Sequence, residues 1–163
     1  MLDNVMQTSI GRERPDAPDA AALVEELESE LAEHYPVESR HGYSVQKLIA
    51  QGVLFFVLRC DDRPAGCGGI QFVGSEYGEL KRMFVRPEFR GRGLSKIILE
   101  HLIAVARERG VALVRLETGI HQHAAIALYE GSGFYQIPPF GPYREDPVSR
   151  CYEKRLEPDE RAG

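Results

Sequence analysis

The chain predicts a single α/β domain built on one mixed sheet, on three observations. Apolar, β-forming runs separated by turn residues fill Val53–Val85. A run at helical spacing follows at once, and further strand-like segments come after it. Strands, a crossover helix and then more strands make a mixed sheet flanked by helices. A length of 163 residues suits one domain, and no repeat, linker or composition break divides it. The domain is expected to span 1–163, with its core at about 53–156 and with 1–20 and 157–163 peripheral.

In chain order, a short strand is expected near Gln7–Glu13, before the turn-prone Pro15-Asp16-Ala17-Pro18-Asp19. Asp19 is a plausible N-cap for a helix over Ala20–His34, stopped by Pro36. Leu23, Leu27 and Leu31 fall on one face of that helix, with Glu25, Glu26, Glu28 and Glu30 turned away as a solvated acidic face. A weaker helical turn covers Ser44–Ala50. Val53–Cys60 and Ala65–Val73 read as a hairpin across Asp61-Asp62-Arg63-Pro64. A third strand, Glu79–Val85, alternates Leu80, Arg82 and Phe84 against Glu79, Lys81, Met83 and Val85. Leu94, Ile97, Ile98, Leu102 and Val105 then mark a helix closing at Gly110. Ala112–Glu117 is a buried strand, Ala124–Glu130 a short helix, and Ser149–Leu156 the closing strand after the proline-rich Ile137–Pro147. The tail from Glu157 is polar and expected to fray.

Composition narrows the function. With 20 basic and 25 acidic side chains the net charge is −5, which disfavours a nucleic-acid surface, since that affinity comes from neutralised phosphates. No apolar run approaches the ~18 residues that suggest a membrane span, and the N-terminus does not read as a signal peptide. A cytoplasmic location is expected. Cys60, Cys67 and Cys151 are too few and too scattered for a disulfide framework or a zinc site, and they read as reduced thiols. His121 and His123 lie two apart without further ligands at compatible spacing, so no metal is expected.

The chemistry is concentrated between Glu79 and Arg109, where a strand, a glycine-rich turn and a helix follow one another. The start of a helix carries backbone N–H groups without partners and the positive end of the helix dipole. Gly91 and Gly93 let the backbone approach a phosphate, and Arg90 and Arg92 add charge. A Walker A loop is absent, and Lys96 stands where a dinucleotide fingerprint needs its third glycine.

Val85-Arg86-Pro87-Glu88-Phe89-Arg90-Gly91-Arg92-Gly93-Leu94-Ser95 resembles the acetyl-CoA pyrophosphate loop of the GNAT superfamily, with the pattern Gln/Arg-x-x-Gly-x-Gly/Ala met at Arg90 and Gly93 and with Ser95 in the last place. Ala125-Ile126-Ala127-Leu128-Tyr129-Glu130-Gly131-Ser132-Gly133-Phe134 is similar to a second segment of that family; the asparagine often found upstream of it is absent, and Gln122 lies nearest to its place. The resemblance covers roughly Val53–Leu156. It implies a mostly antiparallel sheet that splays to admit acetyl-CoA as cosubstrate, and an N-acetyltransferase acting on a primary amine by direct attack in a ternary complex.

The same resemblance assigns roles. Main-chain groups of Met83, Phe84 and Val85 would bind the pantetheine arm. The loop Arg90, Gly91, Arg92, Gly93, Leu94 and Ser95 would bind the pyrophosphate. Glu79 stands where the family often places its base, with Glu117 as competitor, and Tyr129 aligns with the tyrosine that protonates the leaving thiolate. An alkyl ammonium with a pKa near ~10 needs such a base before it can attack. Arg82, Tyr143 and Arg144 are candidates for the acceptor site, each being an ordinary surface residue otherwise. The expected acceptor is a small-molecule amine; a peptide N-terminus, a protein lysine, or a non-catalytic CoA sensor are the alternatives. A homodimer is expected from family habit.

Overall fold

In the computed structural model, which describes residues 5–157, local sequence chemistry sets most element boundaries. The strands are Thr8–Arg12 (β1), Leu54–Cys60 (β2), Arg63–Val73 (β3), Tyr77–Val85 (β4), Leu113–Gly119 (β5), Tyr135–Ile137 (β6) and Ser149–Arg155 (β7). The α-helices are Pro18–Ala32 (α1), Val45–Ala50 (α2), Leu94–Arg109 (α3) and His123–Gly131 (α4). The tail, apart from Glu157, lies outside the described residues.

Asp61 and Asp62 sit at φ 49° and 66°, the left-handed pair that a two-residue hairpin turn requires between β2 and β3. α1 does not start on the expected cap. Its N-cap is Ala17, Pro18 occupies the first turn where a missing N–H costs nothing, and the Asp19 carboxylate bonds Arg59 at 2.9 Å. Gly110 closes α3 at φ 82° as expected.

The seven strands run in the order β1-β2-β3-β4-β5-β7-β6. Every neighbouring pair is antiparallel except β4 with β5, which is parallel because α3 crosses over between them. That parallel pairing is short: only Tyr77–Glu79 meets Leu113–Arg115. Beyond it the strands part, and β5 follows β7 along its whole length instead. The result is a V-shaped opening in the middle of the sheet.

Each face of the sheet buries its own core. Leu58, Ile70, Leu80, Val85 and Leu116 pack with Ile98, Leu99 and Leu102 of α3. Phe55, Val57, Cys67 and Phe84 pack with Leu23, Leu27 and Leu48 of α1 and α2. The small residues of β3 let α3 approach closely: a Cβ on Gly68 would lie 2.7 Å from Ile98 Cγ2 and 2.9 Å from Met83 Sδ.

The simple alternation expected for β4 fails at Arg82. Lys81 pairs with Gly69 and Phe84 with Cys67, so Arg82 and Met83 together face Gly68 in a β-bulge. Arg82 takes φ 55°, an uncommon conformation for a residue with a Cβ. The extra residue exchanges the faces downstream. Met83 and Val85 join Leu80 on the α3 side, and Arg82 and Phe84 turn towards α1. The buried Cys67 thiol donates to the Arg82 carbonyl at 3.3 Å, which anchors the bulge.

The glutamates of α1 are not a plain solvated face. Glu26 pairs with Arg86 at 2.6 Å, Glu28 with Arg82 at 2.7 Å and Glu30 with Arg90 at 2.8 Å, while Glu25 is exposed. These residues, two apart on the helix, fasten α1 across the end of β4.

Candidate active site

Two cavities meet in the V. The larger, of about 680 Å³, runs from the β4–α3 turn to α4 and is lined by Met83, Phe84, Val85, Arg90, Gly91, Gly93, Leu94 and Ser95. Gly91 and Gly93 have φ of 81° and 76°, and a Cβ on either would meet nothing within 4 Å, so the backbone faces open space at the start of α3. Ile97 N donates to Gly93 O, so the amides of Leu94, Ser95 and Lys96 have no partner within the helix. Free amides, a positive helix end and an open approach fit a pyrophosphate, and the unpaired part of β4 fits a thin extended arm.

Two arginines behave differently from expectation. Arg90 lines the cavity but donates Nε to Val85 O at 2.9 Å and pairs with Glu30, so it ties the turn to β4 and α1. Arg92 does not line the cavity. It lies over the Phe89 ring at 5.7 Å, and Lys96 joins Arg90 as a cation on the wall. Gln122 stands at the start of α4 and lines both cavities.

The smaller cavity, about 120 Å³, lies between α1, the residues preceding α2, and the parted strands. Its wall includes Arg82 and Tyr143, named above as acceptor-site candidates, and Glu117, the competing base, with Arg40, His41 and Lys81 beside them. Met83, Gln122, Ala125 and Tyr129 line both cavities and mark where they join. Arg144 is exposed and lies off the wall.

Glu79, the residue expected as base, is buried but does not line this cavity. Its Oε2 accepts from Lys81 Nζ at 2.7 Å and from the Tyr143 hydroxyl at 2.5 Å, and Lys81 also donates to Tyr143 at 3.0 Å. The Lys81 ammonium further sits 4.0 Å from the centre of the Tyr43 ring. Burial and the adjacent Glu79 charge push the Tyr143 phenol up, so it stays protonated and keeps donating. A lone strand lysine looks solvated in sequence, but Glu79, Tyr43 and Tyr143 together bury Lys81 here.

Glu117 is on the opposite arm, on β5, and faces the cavity. Desolvation raises its pKa from the ordinary glutamate value, against the opposing pull of a 2.5 Å hydrogen bond from Ser149 Oγ and of the His41 and Lys81 charges. Tyr129 is buried, and burial raises its phenol as well, so it is neutral and able to donate. The same burial pushes the Cys67 thiol up to about 12 and the Cys151 thiol up to about 11, which leaves neither as a ready nucleophile.

A sheet opened at one parallel pair, with a glycine-rich helix start on one side and a charged cavity on the other, is the architecture of an acyl-CoA-dependent N-acyltransferase. The profile of the acetyltransferase (GNAT) family matches residues 20–134, and the chain belongs to that family. An IAA acetyltransferase of Azospirillum brasilense is 41% identical over 149 residues, covering 91% of this chain and 97% of its own. The crystal structure of a protein assigned as an acyl-CoA N-acyltransferase of Klebsiella pneumoniae subsp. pneumoniae superposes with a TM-score of 0.78 at 34% identity, covering 93% of this chain and 99% of that one. The ribosomal-protein-S18-alanine N-acetyltransferase of Escherichia coli superposes at 0.67 with 25% identity, covering 91% and 94%. No group of three or more metal-ligating side chains occurs among the described residues.

Proposed function

We propose that this chain transfers an acetyl group from acetyl-CoA to the primary amine of a small molecule, with Glu117 taking the amine's proton and Tyr129 serving the leaving sulfur. The observation that carries the reading is the placement of Glu117 on the wall of a small cavity that joins the larger one at Tyr129.

Acetyl-CoA supplies an activated thioester. The chain binds and orients it through the amides at the start of α3 and the unpaired edge of β4. Arg82–Val85 carry backbone N–H groups beside the opening, and a donor aimed at a developing oxyanion contributes ~3 kcal/mol. Glu117 accepts the ammonium proton, helped by the burial that raises its pKa. Tyr129 donates to the sulfur at the junction of the cavities. A thiolate forming in the same desolvated place gains proton affinity as well, which favours that transfer. Glu79 keeps Lys81 and Tyr143 in position rather than meeting the acceptor.

The size of the acceptor cavity favours a small molecule. At about 120 Å³ it is smaller than a ~150 Å³ cavity that takes up benzene. Tyr143, His41 and Gly42 stand on its wall. Thiol release from acetyl-CoA, followed with a panel of small amines and with peptides bearing a free N-terminal alanine, tests this. Small amines are expected to exceed every peptide at least tenfold in kcat/KM, and the reverse order would overturn the assignment.

A further inference from the structure

Resting on that acyltransfer reading, we propose that the acceptor carries a carboxylate as well as its amine, and that Arg82 with Arg40 binds it across the cavity from Glu117: the acceptor is a small amino-acid-like zwitterion.

The charges on the wall are arranged for such a molecule. Glu28 accepts from Arg82 Nη2 at 2.7 Å through one oxygen and from Arg40 Nη1 at 2.9 Å through the other. Two guanidiniums around one carboxylate leave one positive charge uncompensated on the arm formed by α1 and β4. Lys81 is neutralised by Glu79. Glu117 leaves a negative charge on the β5 arm. A simple amine answers only the second of these, whereas a zwitterion answers both.

The hydrogen-bond pattern points the same way. The Arg82 side chain is 3% exposed, and its Nη1 has no partner; Arg40 Nε is likewise buried and unpaired. Both residues line the cavity. A buried donor left unmade costs ~1–3 kcal/mol, more for a charged group, so two on one wall are an expensive feature unless something accepts from them. Carboxylate is the acceptor that matches a guanidinium fork.

The fold holds Arg82 in this place at a cost. Its backbone takes φ 55° in the bulge, its Nε is fixed by Tyr43 O at 2.9 Å, and Gly42 lies against the guanidinium so closely that a Cβ there would be 2.3 Å from Cζ. A solvated arginine needs none of this. The His41–Gly42 segment is what must shift for the carboxylate to reach Nη1.

The test compares amino acids with their amides and their decarboxylated amines as acceptors, in wild type, Arg40→Gln, Arg82→Gln and Arg82→Lys. Calorimetric binding of the matching N-acetyl amino acids and N-acetyl amines is measured alongside, and circular dichroism confirms folding. The expected wild-type preference for the free acid is about 10²-fold in kcat/KM, with the same order in product binding. It should shrink at least tenfold in Arg40→Gln, where the side chain is 17% exposed, and recover in part in Arg82→Lys. Simple amines acetylated as well as the acids would overturn the zwitterion and leave acyl transfer standing. A carboxylate preference unchanged in Arg40→Gln and in folded Arg82 variants would place the anion elsewhere, with water on the two donors, and also overturn it. Failure of wild type to bind acetyl-CoA at all would instead overturn the acyltransfer reading beneath it.

Discussion

Glu117→Gln separates the two carboxylates of the site more sharply than any other single change. Glutamine keeps the shape and still accepts from Ser149, but it cannot take a proton from an ammonium. Loss of a positioned general base costs ~10²–10⁴-fold in rate, so kcat should fall by about that factor, with little change in the affinity for acetyl-CoA. Stability should move the other way. Burial raises the folded-state pKa of Glu117 above its unfolded value. Its charged form therefore costs stability once pH exceeds the folded pKa, and that cost fades as pH falls through the raised pKa towards the unfolded one. The variant is expected to melt no lower than wild type at pH 8, with the difference in Tm shrinking towards pH 4. Glu79→Gln should do the opposite, because it strands the buried Lys81 ammonium. Removing one partner of a buried pair costs ~3–5 kcal/mol, here near the lower bound since glutamine retains hydrogen bonds. At ~2–4 °C per kcal/mol for a chain of this size, Tm should drop by roughly 6–12 °C. Initial rates from thiol release, together with calorimetric melts of both variants, make the comparison. A Glu117→Gln enzyme within threefold of wild type, beside a folded and inactive Glu79→Gln, would return the base to Glu79 and refute the reasoning.

Three other outcomes follow from the same structure. Gly66→Ala places a Cβ 2.6 Å from the Phe84 carbonyl, which cannot yield without moving β4, and should destabilise by ~1–3 kcal/mol in a denaturant titration. Leu102→Ala empties a fully buried site under the α3 face of the sheet and should cost ~2–5 kcal/mol while leaving the KM for acetyl-CoA near its wild-type value. Arg90→Ala frees Val85 O and Glu30, so calorimetry should show weaker acetyl-CoA binding at low salt, whereas Arg92→Ala, off the cavity wall, should bind nearly as wild type does.

Much of this molecule is legible in its residues because the signals are local. The helical spacing from Leu94 to Val105 and the glycine after Arg109 each act within a few residues, and α3 lies where those signals put it, whereas the hairpin turn expected over Asp61–Pro64 closes on Asp61 and Asp62 alone and β3 already starts at Arg63. The Arg90–Ser95 turn is of the same kind: glycines and an unsatisfied helix start make a phosphate-ready backbone wherever the rest of the chain goes. The N-terminal boundary of α1 differs from the expected one for an equally local reason, since Pro18 at the first turn outweighs a cap by Asp19, whose carboxylate is taken by Arg59.

The residues alone carry the set of elements and the glycine-rich turn, and the family resemblance of two segments adds the reaction class. Which carboxylate faces the cavity depends on tertiary structure alone. Period-two alternation cannot foresee that an extra residue opposite Gly68 turns Arg82 towards α1 and exchanges the faces of β4 beyond it. Nor does spacing reveal that Tyr143, sixty-four residues from Glu79, closes over that carboxylate and buries Lys81 with it, so that Glu117 rather than Glu79 faces the cavity. The physical reason is common to both: burial and charge pairing belong to the space between elements, and a residue's neighbours there are fixed by sheet register and loop closure rather than by its place in the chain.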